Sequence, residues 1–403
     1  MNILFLSELF HPHRGGAELA TYLYTNLLAK AEFNLVVVTN RFAGEPSVSK
    51  NGNLTFYRLP LLKGRGSIKY SILQRFEVLF SSFLKNLLKW ADVVYIPGSW
   101  YLAIPLAKVY GKPVITHLHD YLPICPLTTL YDLSTRTICY HHNRGVCSPK
   151  CIVEHERGNG KNSKEALMSA VLNPTVGHFM GRLVALSDSI ICVSEAQKRL
   201  IMEQMPSIKS KLHVVYNPLP VVPQFNGEGS DFGYFGGSSP LKGFHILGQA
   251  LQKVNPRIKV HATKMSNVSG NMCDALRRLG IIAYKKLDKK TYKDLYKQVQ
   301  VVIVPSVWPE PLPYVVSEAL LSKRLVIASR VGGIPEQVRD LKGAFLFQPG
   351  NHERLAELIH HVRGLSKEAK LDLGCQNRES FLKNFNNEKT FRDFLKVLEK
   401  CSS

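Results

Sequence analysis

Val304-Pro305-Ser306-Val307-Trp308-Pro309-Glu310-Pro311-Leu312-Pro313-Tyr314-Val315-Val316-Ser317-Glu318-Ala319-Leu320 is the stretch that decides the fold. An apolar run ends at Val304, a proline-rich loop follows, and a helical period starts near Pro313, with proline in the first turn. Strand, loop and helix in that order is the grammar of a parallel α/β domain. Glu310 falls in the loop before the helix N-terminus, where free N–H groups can hold anionic or hydroxyl-rich ligands. Glu318 falls inside the helix, so one carboxylate faces the near end of a ligand and the other reaches further along it. Taken alone, two glutamates at this spacing fit a helix-dipole carboxylate and a surface one better than a site. Pro311 and Pro313 have no N–H, which leaves Leu312 and Tyr314 as donors.

Working outward, the same βα alternation continues on both sides. Strands are expected at Phe232–Phe235, Lys259–His261, Val301–Val304, Leu325–Ala328 and Ala344–Phe347, and the tail from His352 to about Lys400 reads as helical. After the strand at Phe232–Phe235 comes Gly236-Gly237-Ser238-Ser239-Pro240-Leu241-Lys242-Gly243. Small residues there admit a ligand close to the backbone. Lys242, at the start of the next helix, suits a diphosphate as a point charge beside helix N-terminal amides. An ordinary glycine-rich turn with a solvated lysine fits that stretch equally well.

Upstream, the proline-dense Asn217–Pro223 and the polar Asn226–Ser230 read as a linker. Before it, strands are expected at Ile3–Ser7, Leu35–Thr39, Leu54–Tyr57, Val93–Ile96, Val114–Thr116, Ile190–Val193 and His213–Val215. Helices are expected near Glu18–Ala29, Ile72–Leu88, Leu102–Tyr110, Ser163–Ala185 and Glu195–Glu203. A chain of 403 residues is too long for one ordinary core. The domains are therefore set at 1–217, a linker 218–230, and 231–385, with 386–403 a helix returning toward the N-terminal domain. Two further turns sit where open α/β sheets bind ligands. Gly15 and Gly16 open a helix after the first strand, without the G-x-G-x-x-G spacing of a dinucleotide site. His119 and Asp120 lie just past the buried strand expected at Val114–Thr116; a lone histidine there is more often structural.

In this order the four turns form a set that resembles the family-4 retaining glycosyltransferases of the GT-B fold. The likeness runs from Gly15-Gly16-Ala17-Glu18 to the Glu310/Glu318 pair and the Val331-Gly332-Gly333-Ile334-Pro335-Glu336 turn. It implies two facing Rossmann-like domains with a cleft between them, acceptor on the N-terminal side and nucleotide-sugar donor on the C-terminal side. It implies that Glu310 contacts hydroxyls of the donor sugar, Glu318 the ribose, and Lys242 the leaving diphosphate. It also implies that Gly16 packs near phosphate or acceptor and that His119 sits beside the reacting sugar. Gly236, Gly237, Leu312 and Tyr314 complete the donor-binding set. Where similar enzymes carry an arginine before the lysine, this chain has Gly237, so Lys242 acts alone or another base substitutes. No Asp-x-Asp motif occurs, and no catalytic metal or other catalytic cofactor is expected.

Cys125, Cys139, Cys147 and Cys151 cluster in an insert, 120–155, with thirteen, seven and three residues between them and with His141, His142 and His155 among them. Only the last spacing matches structural zinc. A structural zinc ion, an iron–sulfur cluster, free thiols and disulfides all stay open. With 52 Lys and Arg against 31 Asp and Glu the formal charge is +21. Such a surface suits nucleic acid, an anionic membrane face or phosphorylated substrates. Zinc-finger spacing and RNA-binding aromatic motifs are absent, so no specific nucleic acid is expected. Lys69 to Trp90 combines apolar and basic residues in a way that suits either its own sheet or an anionic membrane. Met1–Ser7 reads as a strand rather than a signal peptide, and no apolar run would span a bilayer. The expectation is a cytoplasmic protein, peripheral on the inner face of the cell membrane, that glycosylates a glycan or lipid-linked acceptor. A nucleotide-sugar epimerase of the same fold, or a metal-stapled nucleic-acid-binding protein, is the alternative.

Overall fold

The structure, a computed structural model, describes residues 1–13, 15–61, 77–139, 147, 149–158, 161–226, 229–265, 271–285 and 287–402. It divides into two compact units. The first takes in Met1–Ser134, the following segment to Pro218 and, from the far end of the chain, Asn387–Ser403. The second takes in Leu219–Asn386 with the short piece Thr135–Cys139.

The first unit is an eight-stranded sheet of β1 (Asn2–Leu6), β2 (Asn34–Asn40), β3 (Val48–Asn51), β4 (Leu54–Leu59), β5 (Val93–Ile96), β6 (Val114–Leu118), β7 (Ser189–Cys192) and β8 (Leu212–Val214), in the order β8-β7-β6-β5-β1-β2-β4-β3. Every pairing is parallel except β3 with β4. Parallel strands need crossovers that cover the sheet, so β5, β6 and β7 are buried at every residue. That double burial is why they read as unbroken apolar runs. The edge strand β3 is mostly exposed and has no such run, which is why periodicity missed it. Its turn into β4 uses Gly52 at φ +59°, which favours glycine. From the C-terminal helix Asn387–Ser402, Phe394, Val397 and Leu398 join the core formed by Ile3, Phe5, Tyr24, Val93 and Tyr95. The Tyr24 and Phe394 rings lie 4.9 Å apart.

The second unit is a six-stranded parallel sheet of β9 (Asp231–Tyr234), β10 (Val260–Ala262), β11 (Ile281–Ala283), β12 (Val299–Val304), β13 (Leu325–Ser329) and β14 (Ala344–Phe347). Its order, β11-β10-β9-β12-β13-β14, reverses direction between β9 and β12. Ligands in open α/β sheets bind beyond the strand ends at such a reversal. The loops that leave β9 and β12 carry Lys242 and Glu310. In the first sheet the same reversal falls between β1 and β5.

The helical tail is three helices, His352–Gly364, Lys367–Asn384 and Asn387–Ser402. The helix Ser163–Ala185 has the expected bounds. The expected Ile72–Leu88 helix begins outside the described residues; within them 77–80 are helical, the helix breaks at Ser81, and Ser82–Trp90 follows. Pro313 caps the helix Tyr314–Leu321 rather than entering its first turn. Among the described residues no helix is long and apolar enough to cross a membrane.

Candidate active site

In the second unit the loop after β9 is locked onto the loop after β12. Gly243 has φ +73°, and a Cβ there would collide with the Pro305 carbonyl, so only glycine permits this approach. The Val307 N–H donates to the Leu241 carbonyl at 2.9 Å, and the buried Tyr234 hydroxyl donates to the Gly237 carbonyl at 2.8 Å. Lys242 is thereby held over Glu310: Nζ lies 2.7 Å from Glu310 Oε1 and 5.1 Å from the centre of the Trp308 ring. The buried Ser306 hydroxyl donates to the same carboxylate oxygen at 2.7 Å. Two donors on Oε1 leave Oε2 without a partner among the described residues.

The backbone beneath Glu310 is equally constrained. Its carbonyl accepts from the Gly333 N–H at 2.8 Å, and Gly332, at φ +52°, passes so close that a Cβ would strike Glu310 main-chain atoms. The Ser329 hydroxyl donates to the Ser306 carbonyl at 2.5 Å, tying β13 to the loop. A side chain so fixed presents its free oxygen without reorganisation, which is what selective hydroxyl binding requires.

Glu318, on the helix Tyr314–Leu321, is pushed up to about 7 by burial, against the charge of Lys264. Tyr292 and Tyr296 flank it, and burial together with its charge raises both phenols. The Lys264 carbonyl lies 3.3 Å from where a Cβ on Gly237 would sit, so Lys264 adjoins the glycine turn. Gln337 donates to the Pro313 carbonyl at 3.2 Å and to Ser317 Oγ at 2.8 Å, fixing the entry of the helix beside the buried Leu312 and the half-buried Tyr314. Gly236 completes the turn, with no room for a Cβ against the Tyr234 hydroxyl. Lys242, Glu310, Glu318 and the glycine turn thus fall in one neighbourhood. Ser306 and Lys264 belong to it too. The serine's place two residues after a buried strand was the available signal for the first; nothing in the local sequence marks the second.

In the first unit the residues at the strand reversal are of another kind. Glu8, just beyond β1, takes the Ser99 N–H at 3.0 Å and the Ser99 hydroxyl at 2.8 Å, bridging to the end of β5. Gly15 and Gly16 begin the helix Gly16–Lys30, and the Gly15 N–H donates to Glu18 at 2.8 Å. His119 follows β6 and stacks on His117 at 4.4 Å, while His117 Nδ1 lies 2.5 Å from the Tyr95 hydroxyl. Burial lowers both imidazoles, His119 to about 4, so both are neutral at pH 7. The Nε2 atom of His119 is buried without a partner among the described residues. Asp120 is pushed up to about 6 by burial, against the Leu122 N–H, with Glu8 and Glu18 adding to the rise. Neither Glu8 nor Asp120 stood out in the sequence beyond lying at strand ends.

Of the insert cysteines, Cys125 and Cys151 are buried and Cys139 and Cys147 half-buried. The Cys151 thiol lies 3.8 Å from the Tyr131 carbonyl, and burial pushes it up to about 12, with Asp132 and Cys147 contributing. Among the described residues no three metal-ligating side chains gather; His141 and His142 lie outside those residues.

Comparison with known proteins shows the family and the fold. Residues 14–221 match the family described as Glycosyltransferase Family 4, and residues 229–363 match Glycosyl transferases group 1. An uncharacterised glycosyltransferase of Methanocaldococcus jannaschii is 29% identical over 237 residues, 56% of this chain and 63% of the relative. Spore coat protein SA of Bacillus subtilis is 27% identical over 247 residues, 52% of this chain and 64% of the relative. The matched region thus spans just under two thirds of each relative's length. Among solved structures, Anabaena HepE in complex with UDP and glucose aligns with a TM-score of 0.65 at 19% identity, over 98% of this chain and 99% of that one. Sucrose-phosphate synthase from Thermosynechococcus elongatus aligns with a TM-score of 0.69 at 15% identity, over 99% and 98%. At these identities the likeness bears on the fold, which is GT-B: two Rossmann-like domains.

Proposed function

The chain belongs to glycosyltransferase family 4, and we propose that it moves a sugar from a nucleotide-sugar donor to an acceptor hydroxyl, with retained anomeric configuration and without a divalent metal. The observation that carries this reading is the Lys242–Glu310–Ser306 constellation at the reversal of the second sheet. Glu310 Oε2 accepts a hydroxyl of the donor sugar. Lys242 Nζ neutralises the diphosphate as it leaves, and Lys264 is the second cation where Gly237 replaces an arginine. Glu318 takes the ribose hydroxyls.

In the reaction the bond from the anomeric carbon to the diphosphate oxygen breaks, its electron pair going to the diphosphate. The acceptor oxygen bonds to the anomeric carbon from the same face, and its proton passes to the departing diphosphate. No opposed carboxylate base is needed; positioning and charge stabilisation carry the rate. His119, neutral through burial, supplies a hydrogen bond to the reacting sugar. Gly16 packs near phosphate or acceptor, and the acceptor is a glycan or lipid-linked glycan. The HepE complexes make UDP the first donor nucleotide to try.

A thermal-shift screen with UDP, GDP, ADP and their sugar conjugates, on the wild type and on Glu318→Ala, tests the reading. One nucleotide raising the melting temperature, and raising it less in the variant, supports it. No nucleotide shift, together with salt-sensitive RNA or DNA binding, overturns it. The structural zinc ion or iron–sulfur cluster expected at Cys125, Cys139, Cys147 and Cys151 would need those side chains to come together, which no three of them do among the described residues; metal analysis of untagged protein that finds neither zinc nor iron would remove it.

A further inference from the structure

From Ala166 to Leu172 the helix Ser163–Ala185 of the first unit turns small residues inward and large apolar residues outward, the reverse of what packing onto a core requires; near its end Met180, Leu183 and Val184 pack inward in the ordinary way. Ala166 and Ala170 are buried, Gly177 packs on Pro126, and a Cβ at Gly181 would strike the Pro123 carbonyl. The other face carries Leu167, Met168, Val171, Leu172 and Phe179, continued by Leu186, each between 47% and 70% exposed. At ~100° per residue these six fall within a sector of about 140°, along roughly 28 Å of helix. Single exposed apolar residues need no explanation, but six in one sector mark a surface that something covers.

The charges on that stripe say what kind of surface. Lys164 and Arg182 are exposed in the middle of the sector, one near each end, and neither is ion-paired among the described residues. Glu165 is the helix's one carboxylate, at its first turn, where it accepts from the Asn162 N–H at 3.2 Å. A second copy of a chain with formal charge +21 would bring the same positive excess onto this face. An anionic lipid surface offers both apolar depth and negative charge.

We infer that the helix Ser163–Ala185 lies in the headgroup layer of an anionic bilayer, its apolar stripe facing the acyl chains and Lys164 and Arg182 on lipid phosphates. The inference concerns a different surface from the expected Lys69–Trp90 segment. Residues 69–76 of that segment lie outside the described residues, and its described helix turns Leu84 and Leu88 into its own core. It stands whether or not the transfer reaction does. If both hold, the enzyme is seated where a lipid-linked acceptor resides.

Co-flotation tests this, using vesicles of equal parts phosphatidylglycerol and phosphatidylcholine beside vesicles of phosphatidylcholine alone. The wild type floats with the anionic vesicles about tenfold more than with the neutral ones, and about 0.5 M salt weakens the binding. Val171→Asp with Phe179→Asp lowers it about tenfold or more, and Lys164→Glu with Arg182→Glu lowers it comparably. All four positions are exposed, so unchanged melting temperatures certify the fold. Wild type that ignores anionic vesicles, or a double-aspartate variant that binds as wild type does, overturns the proposal. A wild-type dimer in light scattering that Phe179→Asp dissociates, with no vesicle binding, assigns the stripe to a second copy instead.

Discussion

The two units place ligand-facing loops at the same point of their topology, yet furnish them oppositely. At the reversal between β9 and β12, Glu310 is tied to Lys242 and Ser306 through one oxygen, and Lys264 bears on Glu318. At the reversal between β1 and β5, Glu8 and Asp120 meet serine and backbone donors, no cation pairs with either among the described residues, and the neighbouring histidines are held neutral. The first arrangement suits a group that departs with negative charge; the second suits a neutral polyol, whose hydroxyls donate to carboxylates. One topology thus carries two different sets of side chains at its reversals.

The comparison breaks most readily at Lys242. Lys242→Ala should lower turnover about 10²-fold or more, because the departing diphosphate loses its counter-charge; wild-type turnover would end the role. Ser306→Ala should lower kcat/KM for the sugar nucleotide about tenfold, the scale of one hydrogen bond to a charged group. It should leave the affinity for the bare nucleoside diphosphate unchanged, since that ligand has no sugar for Glu310 to hold. Equal losses for both ligands would reduce Ser306 to a loop support.

Smaller effects follow from the raised carboxyls. Glu318 takes up charge around pH 7, so nucleotide affinity should rise a few-fold from pH 6 to 8 in the wild type and stay flat in Glu318→Gln. A wild-type affinity that is also flat would contradict its contact with the ribose. Asp120 sits near 6 in the folded state and near 4 when unfolded, so the fold favours its protonated form. That contribution is full below about pH 4 and is lost as the pH climbs through about 6. Asp120→Asn should therefore gain melting temperature relative to the wild type across that window, and parallel curves would show the carboxyl to be solvated.

Much of this was legible beforehand. The strands buried on both faces announced themselves as apolar runs, Glu310, Lys242 and His119 stood past strand ends or at helix starts, and Glu318 stood inside the helix that follows Glu310. The resemblance to the family supplied their expected roles. What escaped notice lacked a local pattern: β3 is an exposed edge, β11 has three residues, and Ser306, Lys264 and Glu8 matter only through what they meet across the sheet. The apolar stripe of the helix Ser163–Ala185 escaped for a related reason. Its composition looks the same whichever face turns inward, and its orientation is settled by Gly177 and Gly181 meeting Pro126 and Pro123.

By itself the sequence determined the alternation of strands and helices, the GT-B likeness and the residue types offered to a ligand, because periodicity and turn chemistry are local properties of the chain. The tertiary structure alone decided that Lys242 and Ser306 share one oxygen of Glu310, 68 and 4 residues away along the chain. It also decided that His119 is neutral and that Asp120 and Glu318 hold their protons to higher pH. Those properties depend on burial and on neighbours brought together only when the parallel sheets close.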